Sequence, residues 1–135
     1  MEKWQAAYLA GIIDGEGTIT LTRMHKSEHR RPCITISSSD KELLVYVQTL
    51  TGGSIISKKN YQPTRHKNSY TLNIKNKENV LKILNLVAPF LRVDKKRSRA
   101  FWILNNYEKV TSRNGKYNPA TLKLKLDFED KFFKI

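Results

Sequence analysis

Leu9-Ala10-Gly11-Ile12-Ile13-Asp14-Gly15-Glu16-Gly17 ends the first apolar segment of this chain with three glycines and two carboxylates. Upstream, Trp4, Ala7 and Tyr8 extend the apolar run, so residues 4–14 read as a helix with almost no polar face. A helix of that kind is expected to be buried all round. Gly15 and Gly17 stop it. Glycine costs about 1 kcal/mol relative to alanine inside a helix, so Gly11 and Gly15, one turn and two turns beyond Ala7, need a reason. The smooth stripe they form reads either as a track for close approach by a second helix or as packing against the chain's own sheet.

Asp14 and Glu16 fall at the C-terminal end of that helix, where unpaired carbonyls already carry roughly −0.5 charge. Carboxylates placed there call for a compensating cation. If two copies meet along the stripe, two helix ends and two Glu16 carboxylates sum to about −3 before either Asp14 is counted. Carboxylate and carbonyl oxygens suit Mg²⁺, which needs few protein ligands when phosphate supplies the others. For Asp14-Gly15-Glu16-Gly17 taken alone, a solvated turn is the competing reading.

Downstream, residues 17–26 alternate, with Ile19 and Leu21 on one side and Thr18, Thr20 and Thr22 on the other, the pattern of a half-buried strand. A basic loop, His25 to Pro32, leads to a second strand carrying Ile34 and Ile36. Ser39 followed by Glu42 is a capping-box pattern that opens a helix with Leu43, Leu44, Val47 and Leu50. Gly52 and Gly53 close it. The order then repeats: a strand near 54–61, a polar turn at 62–68, a strand near 69–75, and a helix from Lys77 to Val87 behind Asn76 and ahead of Pro89. The sum is αββαββα over residues 1–108, an α+β fold with a four-stranded antiparallel sheet. A further helix follows Asp94. Asn118-Pro119 reads as a cap and a first-turn proline. The last segment alternates through Leu122, Leu124 and Leu126, yet Leu124, Phe128, Phe132 and Ile135 keep helical spacing, and helix is preferred. Residues 109–135 are thus read as a C-terminal extension of one domain, 1–135.

Bulk properties narrow the function. At 135 residues one core is feasible. Lys and Arg total 25 against 12 acids, a net +13, and such a field attracts polyanions. The basic residues are spread along the chain, which favours a folded binding surface over a tail. Nucleic acid is the expected partner. No apolar stretch approaches the ~20 residues of a bilayer span, and no basic-then-apolar leader opens the chain. A single cysteine, Cys33, excludes an internal disulfide and suits a reducing compartment. Lysine outnumbers arginine 17 to 8, in keeping with an AT-rich genome. The expectation is an intracellular protein, of an organelle (chloroplast or mitochondrion) or of a bacterial or phage-infected cytoplasm.

Leu9 to Gly17, followed by a strand at Thr18-Ile19, resembles the LAGLIDADG motif, and its single copy resembles the homodimeric members of that homing-endonuclease family. The resemblance implies two motif helices packed together, with Ala7, Leu9, Ala10, Gly11 and Asp14 at the dimer interface. It makes Glu16 the metal ligand, with the Gly15 carbonyl beside it. The ion would be Mg²⁺, with Mn²⁺ or Ca²⁺ able to replace it in binding. Glutamate replaces the commoner aspartate there, a ligand one methylene longer. The family also places a polar residue, often glutamine, at the end of the second strand, which Ser38 matches with a shorter side chain, Ser39 being adjacent. Pro89-Phe90-Leu91-Arg92-Val93 resembles the approach to a family lysine. An ungapped match puts Asp94 at that position, so Lys95 is chosen and Lys96 is the alternative. Both crowd a helix N-terminus with Arg97, against the dipole, a penalty that a nearby phosphate would offset. The implied activity is Mg²⁺-dependent cleavage of both strands of a long pseudo-palindromic DNA site, leaving short 3′ overhangs, by a protein whose coding sequence is mobile or intron-borne. The alternative on the same fold is a non-cleaving DNA-binding protein or an RNA maturase, and RNA enters as a partner only in that case.

If Ile19, Leu21, Ile34, Ile36, Ile55, Tyr70, Leu72 and Ile74 face the helices, a polar face remains for double-stranded DNA. It comprises Thr18, Thr20, Thr22, Met24, Thr35, Ser37, Ser54, Ile56, Lys58, Asn60, Ser69, Thr71 and Asn73. A nine-residue strand spans roughly 30 Å, close to one duplex turn of about 34 Å, and a strand pair can read major-groove edges. Arg23, Lys26, Arg30, Arg31, Lys59, Arg65 and Lys67 would reach phosphates. His25, His29 and Cys33 are spaced by four, but on a strand-loop-strand stretch that spacing does not align ligands, and zinc is not expected.

Overall fold

A computed structural model describes residues 1–58 and 61–135. Among them, α1 (Lys3–Glu16), β1 (Gly17–Thr22), β2 (Arg31–Ser38), α2 (Lys41–Thr51), β3 (Ser54–Ser57), β4 (Tyr70–Ile74) and α3 (Lys77–Val87) form the αββαββα order. A 3₁₀ turn (Ala88–Phe90), α4 (Asp94–Asn106), a second 3₁₀ turn (Glu108–Val110) and α5 (Pro119–Phe133) follow. The sheet runs β1-β2-β4-β3, antiparallel throughout. The second strand of each ββα unit lies at the centre, where Ile34 pairs with Ile74 and Ile36 with Leu72.

Period-two alternation does the sorting. Ile19, Leu21, Ile34, Ile36, Leu72 and Ile74 point into one buried cluster with Leu9 and Ile13 of α1, Leu44 and Val47 of α2, Val80 to Val87 of α3, Ile103 of α4, and Phe128 and Phe132 of α5. Those two phenylalanines settle the ambiguous C-terminal segment as helix. Asn118 caps it, accepting from the Thr121 amide at 2.8 Å, while Thr121 Oγ1 accepts from the Asn118 amide at 2.9 Å. Asn76 caps α3 as expected, accepting from the Asn79 amide at 3.0 Å.

Three expectations are corrected. The strands are shorter: β1 ends at Thr22 and β3 at Ser57, so Met24 and Lys26 sit in the following loop. Lys58 is still tied across the hairpin, its amide donating to Ser69 O at 2.9 Å. Lys59 and Asn60 lie outside the described residues. The capping box at Ser39 and Glu42 does not form, because α2 starts behind Asp40, whose amide donates to Ser38 Oγ at 3.0 Å. Finally, α1 is not buried all round. Ala6, Leu9, Ala10 and Ile13 face the core, whereas Trp4 is 59% and Tyr8 46% exposed, and Ala7, Gly11 and Gly15 are open to solvent beside them. The small-residue stripe therefore points away from the chain's own sheet.

Candidate active site and nucleic-acid interface

The chain passes from α1 into β1 with no loop. Gly17 makes this possible: its amide donates to Ile13 O, and a Cβ there would lie 2.8 Å from Ile13 Cα. Gly17 pairs with Ile36, which brings the end of α1 level with the end of β2.

Asp14, at first sight misplaced at a helix C-terminus, is satisfied from elsewhere in the chain. Its Oδ2 accepts from the Arg92 amide at 2.9 Å and its Oδ1 from the Val93 amide at 3.0 Å. The same turn delivers Lys96, whose Nζ donates to Ile13 O at 2.9 Å and Asp14 O at 2.7 Å. So the cation compensating the negative end of α1 is a lysine from the first turn of α4. This also gives Lys96 a partner for its unfavourable place at α4's positive end, without a phosphate. The Lys95 side chain is exposed and makes no hydrogen bond or ion pair with a described residue, so of the two lysines it is Lys96 that the structure brings to the end of α1.

Glu16, the last residue of α1, is exposed, and it makes no hydrogen bond or ion pair among the described residues. The Gly15 carbonyl is not taken by Lys96. A hard divalent cation fits one carboxylate and one carbonyl where phosphate and water complete its shell. Among the described residues, no three His, Cys, Asp or Glu side chains gather into a closed metal site. Ser38 is less well placed than expected. It pairs with Tyr70 on the helix side of the sheet, and its hydroxyl is engaged by the Asp40 amide.

Of the expected interface residues, Ala7 and Gly11 are exposed on α1, but Leu9 and Ala10 are 0% exposed. They lie on the opposite side of the helix, in the chain's own core, and cannot meet a partner. Asp14 is half-buried, with its carboxylate held by the amides of Arg92 and Val93. On the other sheet face, Thr18 pairs with Thr35, Thr20 with Cys33, Thr22 with Arg31, and Asn73 with both Thr35 and Ser54. Ile56 and Thr71 pair on that face too, but Thr71 is only 7% exposed and shares a 2.9 Å hydroxyl contact with Ser37. Arg23, Lys26, Lys58, Arg65 and Lys67 are exposed around it. Arg30 is not free for a phosphate: it pairs with Glu129 of α5 at 3.0 Å and lies 5.1 Å from the Phe133 ring. Arg31 is partly exposed, with Glu28 3.5 Å away.

Two placements were not legible in the sequence. Cys33 falls on the outer face, yet it is 2% exposed, and burial pushes its thiol above the ordinary range. Arg99 of α4 donates to Ile19 O at 3.0 Å and lies 4.7 Å from the Phe132 ring, joining β1, α4 and α5. An alternating strand pattern locates Cys33 on that face once the register is known; nothing local marks Arg99.

A family profile described as "LAGLIDADG-like domain" matches residues 3–88. An intron-encoded DNA endonuclease, aI3 of Saccharomyces cerevisiae, is 32% identical over 132 residues, covering 91% of this chain and 31% of that protein. The intron-encoded RNA maturase bI4 of the same yeast is 29% identical over 89 residues, 66% of this chain and 12% of that protein. The chain thus spans less than a third of either curated relative. Among solved structures, the homing endonuclease I-CvuI in complex with its target superimposes with a TM-score of 0.75 at 20% identity, over 98% of this chain and 82% of that one. The group I intron-encoded homing endonuclease I-CeuI, complexed with DNA, does so at 0.66 and 13%, over 97% and 67%. At such identities the likeness is one of fold.

Proposed function

Since this chain belongs to the LAGLIDADG homing-endonuclease family, we propose that it cleaves double-stranded DNA at a long pseudo-palindromic site as a Mg²⁺-dependent homodimer. The observation that carries this reading is the end of α1. An exposed, unpartnered Glu16 stands at the tip of a helix whose Ala7-Gly11-Gly15 stripe is also exposed, and a Cβ at Gly11 or Gly15 would meet nothing within 4 Å. Among the described residues nothing requires glycine at either position; a second α1 crossing there would. Residues 1–135 act in this reading as one domain, with 109–135 bracing α4 and the first hairpin.

Each residue at the helix end has a task. Asp14 ties α1 to the 92–93 turn. That tie sets Lys96 against the carbonyls of Ile13 and Asp14, holding the last turn in register. Glu16 and the Gly15 carbonyl are then left to hold a divalent ion, which supplies polarisation of the phosphate and stabilisation of charge on the leaving 3′ oxygen. In the hydrolysis, a water oxygen bonds to phosphorus and gives up a proton to solvent as the bond to the 3′ oxygen breaks and that oxygen takes up a proton from solvent. The ammonium of Lys96 stabilises negative charge developing beside the helix end. The exposed hydroxyls and amides of β1, β2, β3 and β4 read the groove, and Arg23, Lys26, Arg31, Lys58, Arg65 and Lys67 meet phosphates. The intron-encoded relatives favour an intron-borne coding sequence and an organellar or other intracellular setting. No helix among the described residues is long and apolar enough to cross a membrane.

The test is cleavage of a target-bearing plasmid with Mg²⁺. Glu16→Gln should abolish cutting and nicking while duplex binding in Ca²⁺ persists; equal cutting by the variant removes Glu16 from the mechanism. The likeness to the maturase bI4 favours a second reading, RNA binding on the same fold. Tight binding to intron RNA, with no DNA cleavage under Mg²⁺ or Mn²⁺, would establish it instead.

A further inference from the structure

Away from the end of α1, a cavity of about 490 Å³ opens between the β1–β2 loop, the start of α3 and the loop joining α4 to α5. Its walls carry His29, Arg31, Lys77 and Lys125 against one carboxylate, Glu28, which is already engaged by Arg31. Arg30 also reaches the wall, but its charge is matched by Glu129.

Lys125 is the unusual member. It is 1% exposed, and its ammonium donates to Thr111 Oγ1 at 2.8 Å and lies 4.3 Å from the centroid of the Tyr107 ring. An ammonium has three donors, and one hydroxyl with two ring faces, Tyr107 and, at 5.9 Å, Phe128, leaves it short of oxygen acceptors. Buried charges are ordinarily paired. Glu129, one turn further along α5, is taken by Arg30 and forms no ion pair with Lys125. Burial, opposed in part by Glu129 and reinforced by Lys77, draws Lys125 down to about 8. A lysine in that condition, with a second lysine beside it, lacks an anion.

The geometry points to a phosphate-binding site in this cavity, with Lys125 as its floor and Lys77, His29 and Arg31 as its walls. These donors come from the β1–β2 loop, β2, α3 and α5 around one cavity, and cationic groups supplied from several sides suit the several oxygens of a phosphate better than the two coplanar oxygens of a carboxylate. The phosphoryl group can come from the backbone of a bound nucleic acid or from free phosphate. The first source rests on the function proposed above, and the second does not.

Two measurements on the full chain separate them. In the first, inorganic phosphate replaces chloride at constant ionic strength while thermal unfolding is followed. The site predicts a rising midpoint for the wild type, an apparent affinity about tenfold weaker in Lys77→Gln, a loss of about 1.4 kcal/mol, and no phosphate response in Lys125→Met. Methionine keeps the apolar stem, and far-UV circular dichroism verifies that each variant folds. In the second, duplex affinity is measured against salt concentration. A backbone phosphate in the cavity makes the slope about 0.9 shallower in Lys77→Gln; free phosphate as the source leaves the slope alone and moves only the thermal midpoint. Either result supports the site. A wild type that treats phosphate as it treats chloride, with a salt slope that Lys77→Gln does not change, overturns it. A wild type that binds no duplex at all refutes the DNA-binding reading, and the thermal measurement then decides the site alone.

Discussion

Asp14 carries two hydrogen bonds to amides 78 and 79 residues away, and hydrogen bonds to a charged acceptor contribute about 1.5–3 kcal/mol each. Asparagine keeps one acceptor oxygen and turns an NH₂ group against the other amide. Asp14→Asn should therefore lower stability by about 2 kcal/mol in urea unfolding. Cleavage should fall by more than the unfolded fraction explains, because the 92–93 turn also positions Lys96. An unchanged unfolding midpoint would show that Asp14 acts at a surface between copies and not within one chain.

For α1 as an element, the two faces obey different rules. The core face needs Leu9, Ala10 and Ile13, all 0% exposed. The exposed face has room for more than glycine. Gly11→Ala should raise the stability of the isolated chain by about 1 kcal/mol through helix propensity, since a Cβ there meets nothing within 4 Å. The same methyl should weaken self-association and cleavage if two α1 helices cross at that point. Sedimentation on and off duplex, paired with urea unfolding at a concentration where the chain is monomeric, measures both effects. A more stable variant with undiminished dimerisation and cutting would place the crossing elsewhere.

On the scale of the whole molecule, α5 packs on the αββαββα body through Phe128 and Phe132, and it buries a lysine in doing so. Lys125 titrates near 8 in the folded chain against an ordinary 10.5. Between those values the unfolded chain binds more protons, so stability should rise as pH climbs from about 8 to 10.5. Below 8 both states are protonated and the whole cost of burying the charge, about 3 kcal/mol, is present. Lys125→Met should thus be more stable than the wild type at pH 7 in phosphate-free buffer, and the two should converge towards pH 10.5. Tyr107, whose phenol burial pushes upward, titrates in both proteins and largely cancels in the difference. Urea unfolding of both at pH 7 and pH 10 checks this; parallel curves would mean that Lys125 is charged in the fold at no cost.

Composition and periodicity settled the helix and strand types through α4, along with the Asn76 and Asn118 caps, because those features depend on neighbours within about four residues; α5 kept two readings until Phe128 and Phe132 met the core. The motif likewise marked Glu16 and the small-residue stripe, but only the packing of α1 left that stripe exposed. Packing alone decided that β2 and β4 meet at the centre of the sheet, that Asp14 meets the 92–93 turn, that Lys96 and not Lys95 reaches the end of α1, and that Arg30 belongs to Glu129. Each of those contacts joins residues tens of positions apart. Their partners are chosen by how helices stack on the sheet, and no local pattern in the chain encodes that choice.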